Sequence, residues 1–392
     1  STKQINDKLG TDITEERIIK ILTSLDFEVS KKDCDLSIVV PSFRTDVSIK
    51  EDIAEEVARI FGFNNIVPTV FPSRNAATLT PEQDLEKNLR ELCYKLHLDE
   101  AFNLSLLGDS LFDKMKLSSE HKYRKIVRMD VPLSDDLQGM RSALIPGLVR
   151  TTAFNYSRAN RGLALFEVGN VSYPASSGKS DDLPAYEKMC AVVLSGVKYF
   201  KDYSNPEEKY DFYDIKGVAD AIFDYFKPKA TFIESNESFL QPYLQAKILF
   251  NGKEVGILGK LHPTVAESMN ITGDTFLLEF SVNSLFENAD SKIIYKEIPK
   301  FPSSVRDMAL ILDDKVMAND ILETVKNAEI EFLREAKIFD FYKGDNIEKG
   351  KYSLALSMEF NKIHSTLTDL EVNSGFEKVL SILKEKFNAT IR

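Results

Sequence analysis

At 392 residues, 43% hydrophobic and 28% charged, the chain is too long for one ordinary core and has the profile of a globular protein of two or three domains. Its net charge of -11 argues against general attraction to nucleic acid, because sequence-independent affinity comes from Lys and Arg neutralising phosphates, so any such contact must be local. No apolar run reaches the roughly 18 residues of a membrane span and the first residues lack an apolar signal core, so no membrane span and a cytoplasmic location are expected. Cys34, Cys93 and Cys190 are far apart and in no ligand pattern, which predicts reduced thiols rather than disulfides or zinc.

Ser1-Thr2-Lys3-Gln4 enters a folded pattern without an initiator methionine, and the expectation is a portion of a longer polypeptide. Thr14 with two glutamates after it predicts a helix start, with Ile18, Ile21, Leu22 and Leu25 as its apolar stripe. Leu36 to Val40 then reads as a strand. Ser48 with Glu51 three residues later reads as a capping box, opening a helix from Ile49 to Phe61 that Gly62 can close in the left-handed region. Ile53, Val57, Ile60 and Phe61 fall on one side of it, and Asp52, Glu55, Glu56 and Arg59 recur at i, i+3, i+4 and i+7 on the other. Asp46 lies just before the helix. Four such carboxylates offer hard oxygen ligands of the kind magnesium takes. A plain solvated face, with Glu55 and Arg59 as an i, i+4 pair, needs nothing more, and on spacing alone it is the favoured of the two readings. Residues 1–72 thus form a compact, winged-helix-like unit, a class that binds nucleic acid or merely packs on protein.

Residues 71–78 read as a linker. Thr80-Pro81-Glu82-Gln83 supplies an N-cap, a first-turn proline and a capping-box partner for a long helix with Leu85, Leu89, Leu92 and Leu96 on its buried stripe. Cys190 to Leu194 is strand-rich, while Ile215, Val218, Ala219, Ile222 and Phe226 mark a helix. Asn251-Gly252 between apolar runs predicts a type I′ hairpin. Hairpins with long helices indicate an α+β core built on an antiparallel sheet, over residues 75–290. Ile293 to Pro302 reads as a second linker. Beyond it come strand (Met308 to Leu312), helix (Ala318 to Ala328), strand (Ala336 to Tyr342), strand (Tyr352 to Phe360), helix (Asp369 to Lys386) and strand (Ala389 to Arg392), the βαββαβ order of a ferredoxin-like domain over 299–392.

No phosphate-binding loop, dinucleotide fingerprint or nucleophile elbow is present. His97, His121, His262 and His364 are scattered, and His262 and His364 read as structural or capping residues. No catalytic residue is predicted.

Three sets of residues together resemble the beta subunit of bacterial phenylalanyl-tRNA synthetase. Arg44-Thr45-Asp46, Glu51-Asp52 and the run from Glu55 to Ile66 look like its B5 domain. Pro132 to Ser134, Met140 to Leu148, Asn155, Arg158, Leu165 to Gly169, Asp211 to Gly217 and Gly259 to Pro263 resemble its class II synthetase-like core. Pro299 to Asp307, leading into βαββαβ, resembles its ferredoxin-fold anticodon-binding domain. The resemblance implies magnesium at Asp46, Asp52, Glu55 and Glu56, near a contact with a catalytic alpha subunit in an α2β2 assembly. It implies that the alpha subunit attaches phenylalanine with ATP, that the beta core supports it without chemistry of its own, and that tRNA(Phe) meets the C-terminal domain.

The core's end agrees with lost chemistry: Phe276 to Leu285 carries no glycine run and no arginine to clamp ATP, which leaves Arg141 and Arg158 as structural or interface residues. Val131 stands where the family typically has asparagine, and the family's tRNA-binding and editing domains are not in this sequence, so no editing and no activity of the chain alone are expected. From Phe301 to Arg392, 13 Lys and Arg stand against 16 Asp and Glu, a balance of -3, so anticodon recognition would need a few placed cations and stacked aromatics. Phe339, Phe341, Tyr342 and Tyr352 qualify by type, with core positions favoured for most of them; individual tRNA contacts are not identified. Two other readings remain. One is a regulatory module whose ferredoxin-like end senses a small ligand, and the other a winged-helix DNA-binding protein, against which the acidic second helix counts.

Overall fold

The computed structural model describes residues 1–72, 77–175, 183–290, 292–295, 297–344 and 346–392. They divide into two compact units, Ser1–Glu91 and Leu92–Arg392.

In the first unit α1 (Thr2–Leu9), α2 (Glu15–Ser24) and α3 (Lys50–Phe61) share a core with the antiparallel hairpin β1 (Glu28–Lys32) and β2 (Asp35–Val39). Ile18, Leu22, Phe27 and Val57 are buried at its centre. Thr14 caps α2 through Oγ1, which accepts from the Arg17 N–H. The start of α3 departs from the expected box. Asp52, not Glu51, reaches back, its Oδ2 accepting from the N–H groups of Ser48 (2.7 Å) and Ile49 (2.9 Å), while Glu51 pairs with Lys8 at 3.2 Å. An aspartate at the third helical position is near enough to satisfy two of the orphan donors that any helix start leaves. Gly62 closes α3 with φ 96° and ψ 117°, positive in φ but outside the left-handed helical region. The buried face of α3 centres on Ala54, Val57 and Ala58, and Ile60 is exposed.

The division between the units falls within α4 (Pro81–Lys95), which has the predicted box: Thr80 and Gln83 exchange hydrogen bonds between side chain and backbone in both directions. The expected linker over residues 71–78 lies in part, at 73–76, outside the described residues.

The second unit opens with β3 (Asp99–Glu100), β4 (Leu106–Leu107), α5 (Asp109–Lys114), β5 (Val127–Arg128), β6 (Gly139–Met140) and α6 (Ile145–Ser157). There follow β7 (Gly162–Tyr173), β8 (Ala185–Tyr199), β9 (Glu208–Lys209), α7 (Phe212–Phe226), β10 (Ala230–Glu234), β11 (Leu240–Phe250), β12 (Lys253–Leu261), α8 (Pro263–Ser268), β13 (Thr275–Ser281) and α9 (Val282–Asn288). The central sheet runs β10-β11-β12-β13-β8-β7-β3, with β9 beside β8; it is antiparallel except for the β3–β7 pair. Two faces are covered. Leu144, Leu148 and Val149 of α6 and its approach pack with Val193 and Leu277 on one, and Phe223 of α7 meets Phe250 and Phe280 on the other. Burial on both faces explains why Cys190 to Leu194, in the middle of β8, is apolar without alternation. The Asn251-Gly252 turn joins β11 to β12 with φ of 50° and 83°, the two positive values a type I′ turn requires.

The unit ends in β14 (Ser304–Asp313), α10 (Ala318–Asn327), β15 (Leu333–Tyr342), β16 (Lys351–Phe360), α11 (Asp369–Phe387) and β17 (Thr390–Ile391). These give a four-stranded antiparallel sheet of order β15-β16-β14-β17, with Leu310, Leu354 and Leu356 sharing a core with Ile321 of α10 and Val379 and Leu383 of α11. This is the ferredoxin-like arrangement the sequence order predicts. The whole is an α+β protein, and no helix among the described residues is long and apolar enough to cross a membrane.

Candidate functional site

Of the four carboxylates singled out, Asp46 and Glu56 converge on a cation of the protein's own. That cation is Arg44. The turn that carries it is fixed by its N–H bonding to the Pro41 carbonyl at 2.9 Å. Its Nε and Nη2 donate to the two oxygens of Asp46 (3.0 and 2.7 Å), and its Nη1 and Nη2 donate to the two oxygens of Glu56 (3.1 and 2.8 Å). Arg59 adds a second cation, donating to Glu56 Oε2 at 2.6 Å, so it pairs with Glu56 at i, i+3 and not with Glu55 at i, i+4 as the helix face suggested. Glu56 is only 7% exposed, inside the unit rather than on a wet stripe, whereas Glu55 is exposed. The Arg44 fork holds both Asp46 and Glu56 at about 2, and the two N–H donors of Ser48 and Ile49 hold Asp52 below the usual carboxylate range.

The donor set is all oxygen, as magnesium asks, but the arrangement does not fit an ion: guanidinium protons take both oxygens of two of the four carboxylates, and Asp52 is spent on a helix start. Among the described residues no group of three or more His, Cys, Asp or Glu side chains is disposed to hold a metal. Sequence reasoning noted Arg44 as part of a motif but missed its pairing with Asp46 and Glu56. The signal was present, a cation two residues from Asp46 and directly ahead of the acidic helix.

In the core the buried polar groups hold structure together. Arg141 Nη1 donates to Glu167, and Arg141 Nε donates to the Asn170 carbonyl at 3.0 Å. Asn103 Nδ2 donates to the same carboxylate at 2.7 Å. Glu279 of β13 accepts from the backbone N–H groups of Leu144 (2.6 Å) and Ile145 (3.1 Å), capping α6, and from the Tyr123 hydroxyl at 2.8 Å. A cavity of about 360 Å³ lies beside it, lined by Lys122, Tyr123, Glu187, Glu254 and Glu279 among others and, among the described residues, by no arginine. Nothing there supplies the pair of fixed guanidinium groups that nucleotide transfer requires. Arg141 is a structural ion-pair partner, as expected, and Arg158 lies over the Phe154 ring at 5.3 Å. His262 caps α8, its Nδ1 accepting from the Thr264 N–H at 3.2 Å.

On the C-terminal sheet, strand register places Tyr342, Ser353, Ile311 and Thr390 in one row across the face opposite α10 and α11. Arg392, whose N–H bonds to the Ala309 carbonyl, lies next to that row with its guanidinium 5.1 Å from the centre of the Tyr342 ring. Of the four aromatics singled out by type, only Tyr352 is core, its hydroxyl donating to the Val316 carbonyl at 2.6 Å. Phe339 and Phe341 are 59% and 60% exposed, against the expectation that most would be buried. Both lie on β15, an edge strand: a bulge between Ile338 and Asp340 leaves Phe339 as the extra residue without a cross-strand partner, and Phe341, opposite Leu354, packs one side of its ring on Tyr352 at 5.2 Å between centres.

Three family models match the chain. One described as tRNA synthetase B5 domain covers residues 1–63, one described as phenylalanyl tRNA synthetase beta chain CLM domain covers 67–282, and one described as ferredoxin-fold anticodon binding domain covers 299–392. The chain is similar to the phenylalanine–tRNA ligase beta subunits of Clostridium tetani (32% identical over 391 residues, 99% of this chain and 48% of that protein) and Geobacillus kaustophilus (32% over 394 residues, 100% and 48%). That of Bacillus licheniformis is 31% identical over 396 residues, again 100% and 48%. The chain therefore spans about half the length of the curated relatives it matches.

Proposed function

The chain belongs to the phenylalanyl-tRNA synthetase beta chain family, and from that membership we propose that it works as the C-terminal part of a beta subunit in a phenylalanine–tRNA ligase. The carrying observation is the order of the three matched domains on one chain. In this reading an alpha subunit activates phenylalanine with ATP and joins it to tRNA, in an α2β2 assembly. The core contributes a rigid scaffold, consistent with a buried polar network committed to holding α6 and β7 in place.

The C-terminal domain binds the anticodon region of tRNA(Phe) through the Tyr342 and Arg392 end of the sheet face opposite α10 and α11. Tyr342 under Arg392 offers a stacking platform with a cation beside it, and each stacked base contributes about 1 to 3 kcal/mol. Magnesium on Asp46, Asp52, Glu55 and Glu56 enters the proposal only for a state in which Arg44 has withdrawn, and no step of the function is routed through it.

Two measurements test the proposal. ATP–pyrophosphate exchange by full-length beta subunit assembled with its alpha partner should depend on phenylalanine, and an assembly unable to activate phenylalanine overturns the reading. Filter binding of a tRNA(Phe) transcript to the chain should weaken about 5- to 150-fold on Tyr342→Ala; unchanged binding removes this end of the face as the tRNA surface.

A further inference from the structure

Arg44 sits where a divalent ion bridging Asp46 and Glu56 would have to sit. Its guanidinium addresses both oxygens of each carboxylate at 2.7 to 3.1 Å, and one group donating to two forked partners leaves no shared vacant position between them. A magnesium ion needs those oxygens at about 2.0–2.1 Å in a near-octahedral shell. The two cations cannot hold the same pair together.

Glu56 says which cation is resident. A carboxylate this deeply buried is tolerated only when paired and hydrogen-bonded, and Arg44 and Arg59 supply that pairing from within the unit. Arg44 is itself held in place: its guanidinium lies 5.9 Å from the ring centre of the buried Phe27, and the Pro41 carbonyl fixes its backbone. Glu55, by contrast, is exposed on the next position round the helix. The disagreement between a four-carboxylate metal set and this arrangement has a direct physical reading.

We infer that Arg44 is the resident counter-cation of the acidic group, and that it competes with a divalent ion for Asp46 and Glu56. The first unit consequently folds without a metal, and ion binding requires Arg44 to let go. The inference stands on the geometry of residues 41–59 and rests on the proposed function only for naming magnesium as the competitor.

The test uses the full chain, with manganese as the probe, its free concentration read by electron paramagnetic resonance and Tm followed with and without chelator. Wild type should bind manganese weakly and keep its Tm in chelator. Arg44→Gln should melt lower in chelator, bind manganese about tenfold or more tightly, and recover part of its Tm on binding. A wild-type Tm that falls in chelator overturns the inference, as does a folded Arg44→Gln that binds manganese no better than wild type. Should Arg44→Gln fail to fold, Arg44→Lys keeps the charge but cannot fork to two carboxylates, and tighter manganese binding by it supports the inference where equal binding sinks it. Loss of tRNA binding, which would defeat the proposed function, leaves these readings unaffected.

Discussion

The Tyr123 hydroxyl donates to Glu279 Oε2 at 2.8 Å, and the other oxygen of that carboxyl receives the first N–H groups of α6. One acid therefore ties a loop, a helix start and a central strand. Burial pushes Glu279 above the usual carboxylate range, against the pull of its three donors. A folded-state pKa raised above the unfolded one gives stability that is fully present below the ordinary value of 4.5 and lost as pH rises through the raised value. Glu279→Gln should keep the acceptor for α6 and remove this slope, while Glu279→Leu should cost about 1–3 kcal/mol for each N–H left unpaired. Urea unfolding across pH measures both; equal losses for the two variants would contradict the capping role.

Glu237 carries the opposite sign. His121 Nε2 at 3.0 Å, helped by Lys122 Nζ at 3.3 Å, holds its carboxyl at about 2. A depressed folded-state pKa gives stability present above the ordinary value of 4.5 and lost as pH falls from there towards about 2. Thermal melts of Glu237→Gln against wild type should show a gap that closes between about pH 5 and about pH 2. A gap that does not change with pH would remove Glu237 as the source of acid sensitivity.

Removing Arg141 should cost more than any surface charge. Glu167 is 2% exposed, and among the described residues Arg141→Met leaves it with Asn103 alone, an expected loss of about 3–5 kcal/mol. At Gly169 an added Cβ would come 2.3 Å from Arg141 Nη2, so Gly169→Ala also destabilises, by forcing the guanidinium off its partners. Because both act through one ion pair, the double variant should lose less than the sum of the two. Additive losses in urea unfolding would show that the glycine serves something else.

Gly375 in α11 sets two effects against each other. Alanine there should gain about 1 kcal/mol of helix propensity. Its Cβ, however, would come 2.6 Å from Phe360 Cε1, in a ring that is fully buried. Overpacking costs about 1–3 kcal/mol and should win, so Gly375→Ala lowers Tm and Phe360→Leu added to it restores part of the loss. A higher Tm for the single variant would mean that the ring has room to move.

Local chemistry made much of this fold readable. Thr14, Thr80 and His262 start helices because their side chains accept within one turn, and Asn251-Gly252 turns because both residues take positive φ. What could not be read depends on distance in sequence. The bulge at Phe339 is a mismatch between two strands, and the Arg392 contact with Tyr342 needs residues 50 positions apart brought onto one face by sheet order. At the acidic helix, periodicity located Asp52, Glu55 and Glu56 correctly on α3 but gave them one shared face. The unit's core instead took Glu56 inward, because Arg44 was there to pair with it.

Helix α6 also has a history during synthesis. Ile145 and the carboxylate that caps it are 134 residues apart, and at about 5–20 residues per second the ribosome needs roughly 7–27 s to deliver the second after the first. For that interval Leu144, Leu148 and Val149 lack β13, and the nascent chain carries an uncapped helix with an apolar face. Ribosome-stalled chains with β13 not yet made should therefore be cut by protease within α6, and those long enough for β13 and α9 to have left the ribosome should resist.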